Sequence, residues 1–267
     1  MTRKVKILGI QINSIVGDKI KNYQKVSKLM KENADFGADI VILPELFNTG
    51  LDYKNAKRHA EPIPTEATSM FLSGIAETYN TNIIGGSIFE LVEGEKIKNT
   101  TAVFDRTGKL VSKYSKIHLF SAFGSQENEV LHSGENAVIV ELDGVKVGLT
   151  TCYDIRFPEI YRKLALNGAE IITCSAAWPY PRYDHWMTLN KARAIENQCF
   201  VVSSNQCGKA GLGVNYVGNS MIVDPWGDII SNAGNNEGAY KVEINLNSIE
   251  QRRKDLPVFK DRKPELY

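Results

Sequence analysis

A glutamate, a lysine and a cysteine each stand where a strand-like pattern of the sequence stops. Glu45 follows "VILP", Lys116 follows "LVSKYS" and Cys152 follows "VGLTT". Such runs predict strands, and side chains at strand ends of an α/β sheet are available to a ligand. A carboxylate beside a thiol can accept its proton, while a nearby ammonium favours the thiolate and stabilises a developing oxyanion. These three residues are therefore sufficient for nucleophilic catalysis by Cys152.

Histidine is the more usual partner of a catalytic cysteine, and His118 is a second candidate for that role. It lies two residues after Lys116, so on an extended segment both side chains would face the same side. Residue types and spacing leave the two as equal candidates. A Cys–His thiol hydrolase would lose its activity in His118→Ala and keep much of it in Lys116→Ala.

The other three cysteines give no sign of a metal or redox site. No C-x-x-C pair occurs in the sequence, so neither zinc binding nor disulfide exchange is predicted. Cys174 and Cys199 lie inside apolar runs, where cysteine behaves as a small buried hydrophobe. Cys207 lies near a glycine-rich stretch and is expected to be a bystander.

The composition is that of an ordinary soluble globular protein. The 267 residues include 32 Lys+Arg against 31 Asp+Glu, and 43% are apolar. The balanced charge argues against nucleic acid and anionic membranes as partners. No apolar run approaches the roughly 18 residues of a membrane span, and the apolar stretch near the start is too short for a signal peptide. We therefore expect a cytoplasmic protein, and no motif implies a metal or an organic cofactor.

The first third of the chain has a βαβαβ pattern. Buried strands are predicted at 5–13, over "ADIVILPE" and at 82–89. Amphipathic helices are predicted from Asp18 and from near Thr65, between these strands. Such alternation is typical of a parallel sheet with crossover helices.

Hairpins interrupt this pattern in the middle of the chain. One spans 97–114 with a Thr-Gly turn, and a second has Asp-Gly at 143–144, the strongest short hairpin signal. Helices are predicted at 157–167 and 184–198, each followed by a strand, and two short strands come last. The sequence predicts one α/β domain over 1–267, with a mixed sheet, helices on one face and a second sheet on the other.

Five stretches of the sequence carry a family resemblance. They are "LPELFNTG" (43–50), "KYSKIHLF" (113–120), "CYDIRFPE" (152–159), "HWMTLNKARAIENQ" (185–198) and "GNSMIVDPWG" (218–227). In this order they resemble the signature segments of the nitrilase, or carbon–nitrogen hydrolase, superfamily. The resemblance covers essentially the whole chain and implies an αββα sandwich, usually dimerised through a shared face.

The resemblance also implies roles for the candidate residues. Glu45 corresponds to the general base, Cys152 to the nucleophile that forms a thioester, and Lys116 to the group that stabilises the tetrahedral intermediate. The backbone N–H of Tyr153 would complete the oxyanion hole. Glu127 matches a second glutamate that orients the lysine, with Glu129 as the alternative.

The segment "SAAWPYPRYDHW" (175–186) bears on the substrate. It resembles the bacterial omega-amidase branch of the superfamily, whose substrates are monoamides of dicarboxylic acids such as 2-oxoglutaramate. Such substrates need a cation for the distal carboxylate, and Arg182 is the candidate, with Trp178 as a pocket wall. The ending also resembles that branch, and about 246–267 is expected in dimer contacts. By contrast, "NQCGKAGLGVNY" at 205–216 resembles the deaminated-glutathione amidase branch.

Other readings stay open at this point. A nitrilase proper or an N-carbamoyl amide hydrolase would use the same nucleophile, and a non-catalytic binding protein would keep the scaffold alone. Arg156 and Glu159 are expected to brace the turn after Cys152 through an ion pair or helix-cap contacts. Arg193 and Glu196 are expected to pair within one helix.

Overall fold

The computed structural model describes residues 3–211 and 213–266. The strands are β1 (Lys4–Gln11), β2 (Ile40–Ile42), β3 (Asn82–Ile84), β4 (Ile88–Val92), β5 (Lys96–Phe104), β6 (Leu110–Ser115), β7 (Val138–Leu142), β8 (Val145–Thr151), β9 (Ile171–Ala176), β10 (Phe200–Asn205), β11 (Cys207–Lys209), β12 (Asn215–Val217), β13 (Met221–Val223), β14 (Ile229–Asn232) and β15 (Gly238–Asn245). The helices are α1 (Lys19–Glu32), α2 (Ala56–His59), α3 (Ala67–Tyr79), α4 (Glu127–Val130), α5 (Pro158–Leu166), α6 (Tyr183–Asn197) and α7 (Asn247–Asp255).

Two large mixed sheets form the centre of the molecule. In the first, β1, β2 and β3 run parallel, β15 pairs antiparallel with β1, and β5 pairs antiparallel with β3, β4 and β6. In the second, with the order β14-β13-β10-β9-β8-β7, the central strands β8, β9 and β10 are parallel. Both predicted hairpins are present, as β5–β6 and β7–β8.

The alternation of side chains along β1 explains the layers. Val5 and Ile7 belong to the core that also contains the apolar side chains of the second sheet. Leu8 and Ile10 point to the opposite face and pack in the core that includes Val26 of α1 and residues of α3. Because both faces of the strand are buried from Ile7 onward, residues 7–10 form a continuous apolar stretch.

The second sheet is covered in the same way. Ile160 and Leu164 of α5 and Trp186 and Ala194 of α6 join the apolar side chains of β8, β9 and β10. Helices therefore lie outside both sheets, and the predicted αββα sandwich is confirmed. The single domain over 1–267 stays a prediction.

One strand prediction needs correction, and some elements were not predicted. The strand predicted at 82–89 is broken at Gly85–Gly86, where Gly86 has a φ of 63° and an added Cβ would lie 2.1 Å from the carbonyl oxygen of Pro44. The short β11–β12 hairpin was not predicted, nor was α7, which is mainly polar and has little apolar periodicity. In the described part of the chain, no helix is long and apolar enough to cross a membrane.

Candidate active site

A cavity of about 470 Å³ opens where strands of both sheets end. Its lining includes Glu45 after β2, Lys116 after β6 and Cys152 after β8, together with Glu127 of α4. Most of the exposed lining is apolar, as is usual for small-molecule pockets of this size. The structure therefore brings together the four residues that were selected from separate segments of the sequence.

Glu45 is held in place by donors from four different segments. Its Oε1 accepts hydrogen bonds from Asn99 Nδ2 at 2.8 Å and from Lys116 Nζ at 2.9 Å, and its Oε2 accepts one from the backbone N–H of Ala177 at 3.0 Å. The side chain of Gln206 donates to the Glu45 carbonyl oxygen at 2.9 Å. With 1% of its surface exposed, Glu45 has a fixed position, because rotation would leave these buried donors unpaired.

Lys116 bridges two buried carboxylates. Besides Glu45, its ammonium donates to Glu127 Oε1 at 2.7 Å, and Glu127 Oε2 accepts the backbone N–H of Phe120 at 3.1 Å. Lys116 and Glu127 are both buried, whereas Glu129 is exposed to solvent. Glu127, and not Glu129, is therefore the second glutamate of the cluster.

Cys152 begins a tight turn directly after β8. Its φ of 47° is in the left-handed region, which non-glycine residues rarely adopt and which is often found at functional sites. Asp154 holds the turn by accepting hydrogen bonds from the backbone N–H of Thr151 at 2.8 Å and from the Tyr114 hydroxyl at 2.6 Å. The turn therefore presents Cys152 to the cavity, with Tyr153 next to it in the lining.

The charges of the cluster determine the resting state of the thiol. Burial raises the pKa of Cys152 well above its usual value, the Glu45 carboxylate raises it further, and Lys116 lowers it. Burial alone would lower the pKa of Lys116, but Glu127 and Glu45 raise it well above normal. Burial also raises the pKa of Glu127. Cys152 is therefore a neutral thiol beside a charged lysine, and as a nucleophile it would need a base.

His118 is directed away from this cluster. Its ring is stacked on Phe157, with centroids 3.7 Å apart, and its Nδ1 lies 2.7 Å from Asp154 Oδ1. It is absent from the cavity lining, which contains Lys116. Of the two candidates that spacing left equal, the structure places Lys116 in the cavity.

We expect His118→Ala to keep its activity within about tenfold of wild type, because only an indirect support of the Cys152 turn through Asp154 is lost. Initial rates of substrate turnover and the thermal unfolding temperature would be measured together. Complete loss of activity in a folded His118→Ala protein would favour the Cys–His mechanism instead.

The two predicted substrate-binding residues both line the cavity. Trp178 is buried, and its Nε1 donates to the carbonyl oxygen of Arg182 at 2.8 Å. The Arg182 guanidinium lies over the rings of Phe120 and Phe123, with distances to the ring centroids of 5.7 and 5.0 Å. Arg182 is thus part of the pocket wall and not an isolated loop residue.

The expected bracing role of Arg156 is not observed. Arg156 lines the cavity, with its guanidinium 4.6 Å from the centroid of the Trp178 ring and its Nη2 3.2 Å from His185 Nδ1. Neither it nor Glu159 forms an ion pair within the described residues. Burial and the nearby Arg182 both lower the pKa of Arg156. By contrast, Arg193 and Glu196 pair as expected, at 2.8 Å.

Several site residues gave little signal in the sequence. Asn99 lies in the middle of β5 and is completely buried, and a polar residue within a buried strand was the available clue. Tyr53, in the loop after β2, also lines the cavity. Cys174, Cys199 and Cys207 are buried and do not line it. In residues 3–211 and 213–266, no group of three or more side chains suits a metal ion.

The family assignment rests on sequence as well as geometry. A sequence model of the carbon-nitrogen hydrolase family matches residues 8–254. The chain belongs to this family. It is 36% identical to the 2-oxoglutaramate amidase of Bacillus subtilis over 264 residues, which are 99% of this chain and 100% of that protein. It is 33% identical to the human omega-amidase NIT2 over 270 residues, covering 99% of this chain and 96% of that protein.

Solved structures agree with this assignment. Nit3 of Saccharomyces cerevisiae, a member of branch 10 of the nitrilase superfamily, superposes with a TM-score of 0.89 and 31% identity, over 98% of this chain and 97% of that chain. This carbon-nitrogen hydrolase is therefore an amidase that acts on carbon–nitrogen bonds other than peptide bonds.

Proposed function

We propose that this carbon-nitrogen hydrolase removes ammonia from the terminal amide of a small dicarboxylic acid monoamide, such as 2-oxoglutaramate. The main support is the pair of arginines, Arg156 and Arg182, in the wall of a cavity that also contains Glu45, Lys116 and Cys152. Relatives described as 2-oxoglutaramate amidase and omega-amidase support the same substrate class.

The first half of the reaction forms a thioester. The Cys152 sulfur attacks the amide carbon while Glu45 takes the thiol proton. The negative charge on the carbonyl oxygen is stabilised by the Lys116 ammonium and by the backbone N–H of Tyr153. Glu45 then passes the proton to the amide nitrogen, the carbon–nitrogen bond breaks, and ammonia leaves.

The second half hydrolyses the thioester. Water takes the place of ammonia, Glu45 removes a proton from it, and the resulting hydroxide attacks the thioester carbon. The carbon–sulfur bond breaks, the proton returns to Cys152, and the carboxylic acid is released. Glu127 keeps Lys116 in position through both halves of the reaction, because its Oε1 accepts a hydrogen bond from Lys116 Nζ at 2.7 Å.

The arginine pair determines which amides fit. Two guanidinium groups close together repel each other, and burial makes this repulsion stronger. Within the described residues neither Arg156 nor Arg182 has a carboxylate partner, and both lie beside aromatic rings. A substrate carboxylate would supply the missing negative charge and accept hydrogen bonds from both guanidinium groups.

Ammonia release over a small panel tests the substrate class. The panel contains 2-oxoglutaramate, succinamate, deaminated glutathione, an N-carbamoyl amino acid and a simple nitrile. We expect the two short monoamides to have the highest kcat/KM. A preference for deaminated glutathione would contradict the proposed substrate class and leave the mechanism intact. Ammonia release from the nitrile alone would contradict both the proposed substrate class and the amidase activity.

Arg182→Gln and Arg156→Gln test the carboxylate site directly. Each change is expected to raise the KM for succinamate about 10- to 100-fold, because a charge-assisted hydrogen bond is lost. Butyramide, a neutral amide of the same chain length, provides the control and should be hydrolysed equally well by variants and wild type. Equal losses on both amides would show that the arginines support the fold and do not recognise the carboxylate.

A homodimer in the cytoplasm is also proposed for this protein. Ile195, Trp226 and Leu256 are each about half exposed on the outer side of the second sheet, and a second copy would cover such apolar side chains. Trp226 lies in the turn after β13, with 51% of its surface exposed. Light scattering is expected to give about twice the 29.8 kDa of one chain.

A further inference from the structure

Tyr53 is a cavity residue to which neither the family resemblance nor the sequence pattern assigns a role. It begins a short helical turn (Tyr53–Asn55) in the loop between β2 and α2. Its ring packs edge-on against Phe89, with centroids 5.9 Å apart, in the apolar cluster that includes Leu46, the residue after Glu45. The ring is thus anchored on one side, and the residue lines the cavity together with Cys152 and Glu127.

The hydroxyl of Tyr53 has no protein partner. Within residues 3–211 and 213–266, it neither donates nor accepts a hydrogen bond. Buried tyrosine hydroxyls usually find a protein partner, whereas Tyr53 is only partly buried and borders the cavity. In this protein the paired ones include Tyr23 with Thr68, Tyr114 with Asp154, Tyr161 with Thr150, and Tyr240 with the Ser203 carbonyl oxygen. An unpaired hydroxyl in a cavity wall is available to a ligand.

The charges around Tyr53 keep its hydroxyl neutral. Burial raises the pKa of Tyr53 well above its usual value, and negative charge on Glu127, Glu45 and Cys152 raises it further. Tyr53 lines the same cavity as these three residues. A neutral hydroxyl has both a proton to donate and lone pairs to accept with.

The amide nitrogen of the substrate is the group that still needs a partner. The carbonyl oxygen already has Lys116 and the Tyr153 N–H, whereas a primary amide also carries two N–H donors. Glu45 can accept one of them. A carboxylate can accept about four hydrogen bonds, and the protein already donates three to Glu45 and two to Glu127. An acceptor from another segment would fix the remaining N–H and hence the rotation of the –NH2 group.

We propose that the Tyr53 hydroxyl is this acceptor: unpaired and anchored against Phe89 in the cavity wall, it binds the amide nitrogen of the substrate. This role rests on the proposed cysteine amidase function. Tyr53 takes part in no bond breaking. It orients the –NH2 group so that the nitrogen receives its proton from Glu45 when the tetrahedral intermediate collapses.

Tyr53→Phe removes the hydroxyl and keeps the ring and its contact with Phe89. We expect kcat/KM for the preferred amide of the panel to fall about 10- to 100-fold. The p-nitrophenyl ester of the same acyl group forms the same thioester and has no amide nitrogen. Release of p-nitrophenol should therefore stay within about twofold of wild type. Tyr79→Phe, in α3 and outside the cavity lining, is the matched control and should change neither rate.

Each alternative outcome has a definite meaning. An unchanged amide rate in Tyr53→Phe would overturn the proposed contact. Equal losses on amide and ester, with an unchanged melting temperature, would show that the hydroxyl acts on the nucleophile and not on the nitrogen. If wild type cleaves the ester but releases no ammonia from any amide of the panel, the proposed function itself fails. That result differs from either failure of the Tyr53 proposal.

Discussion

Cys152→Ala is expected to abolish ammonia release, with a loss of about 10⁶-fold in kcat if no other residue provides a nucleophile. The folded protein should persist, because the side chain is small, only partly buried and outside any hydrogen bond that holds the Cys152 turn. The rate would be measured with the best amide of the panel at saturating concentration. Mass spectrometry of wild type mixed with the same amide should show the acyl group on the peptide that contains Cys152.

Cys207→Ala is the matched control for this variant. Cys207 is buried, and burial raises its pKa to about 12, so it is a poor nucleophile at neutral pH. Its replacement should leave the rate unchanged. Loss of activity in Cys207→Ala combined with an active Cys152→Ala would make the assignment of the nucleophile wrong.

Lys116→Met has the second large expected effect, because it removes the only cation that contacts both Glu45 and Glu127 among the described residues. Two buried carboxylates would then face each other without a counter-charge, at a cost of about 3–5 kcal/mol in the free energy of unfolding. Ammonia release should fall at least 10²-fold, since the oxyanion loses a donor. Urea unfolding monitored by circular dichroism measures the free energy of unfolding, and initial rates measure the loss of ammonia release.

The destabilisation should depend on pH in a defined direction. Burial already raises the pKa of Glu127 in the folded protein, and the Lys116 ammonium lowers this pKa. Removal of Lys116 should therefore raise the pKa of Glu127 further. A carboxyl whose folded pKa lies above the unfolded value stabilises the fold below the unfolded pKa and loses this contribution as pH rises through the folded pKa. The stability gap between Lys116→Met and wild type should therefore narrow from pH 7 toward pH 4.

The double variant Lys116→Met/Glu127→Gln provides the control. Removal of one carboxylate charge should restore part of the stability, and activity should stay low because the oxyanion donor is still missing. A double variant as unstable as Lys116→Met at both pH values would show that packing, and not charge, explains the effect.

Local patterns determined much of this fold. The continuously apolar strands, the amphipathic helices and the Asp-Gly turn at 143–144 predicted the mixed sheets and both hairpins, because these signals lie within a few residues of each other. The prediction of one continuous strand at 82–89 was wrong, because the break in the strand at Gly86 depends on the close approach of Pro44 from another segment. No local pattern reports such a contact.

The candidate site divides in the same way. The sequence by itself determined the residue types: a cysteine, a glutamate and a lysine at strand ends, in segments that resemble one family. Spacing left Lys116 and His118 equal and the family resemblance favoured Lys116, but only the tertiary structure shows Lys116 in the cavity lining and His118 held outside it by Asp154 and Phe157. The tertiary structure also shows that Arg156, which was expected to brace the turn after Cys152, lies in the cavity wall. Such choices depend on contacts between residues far apart in the chain, and a linear pattern does not contain them.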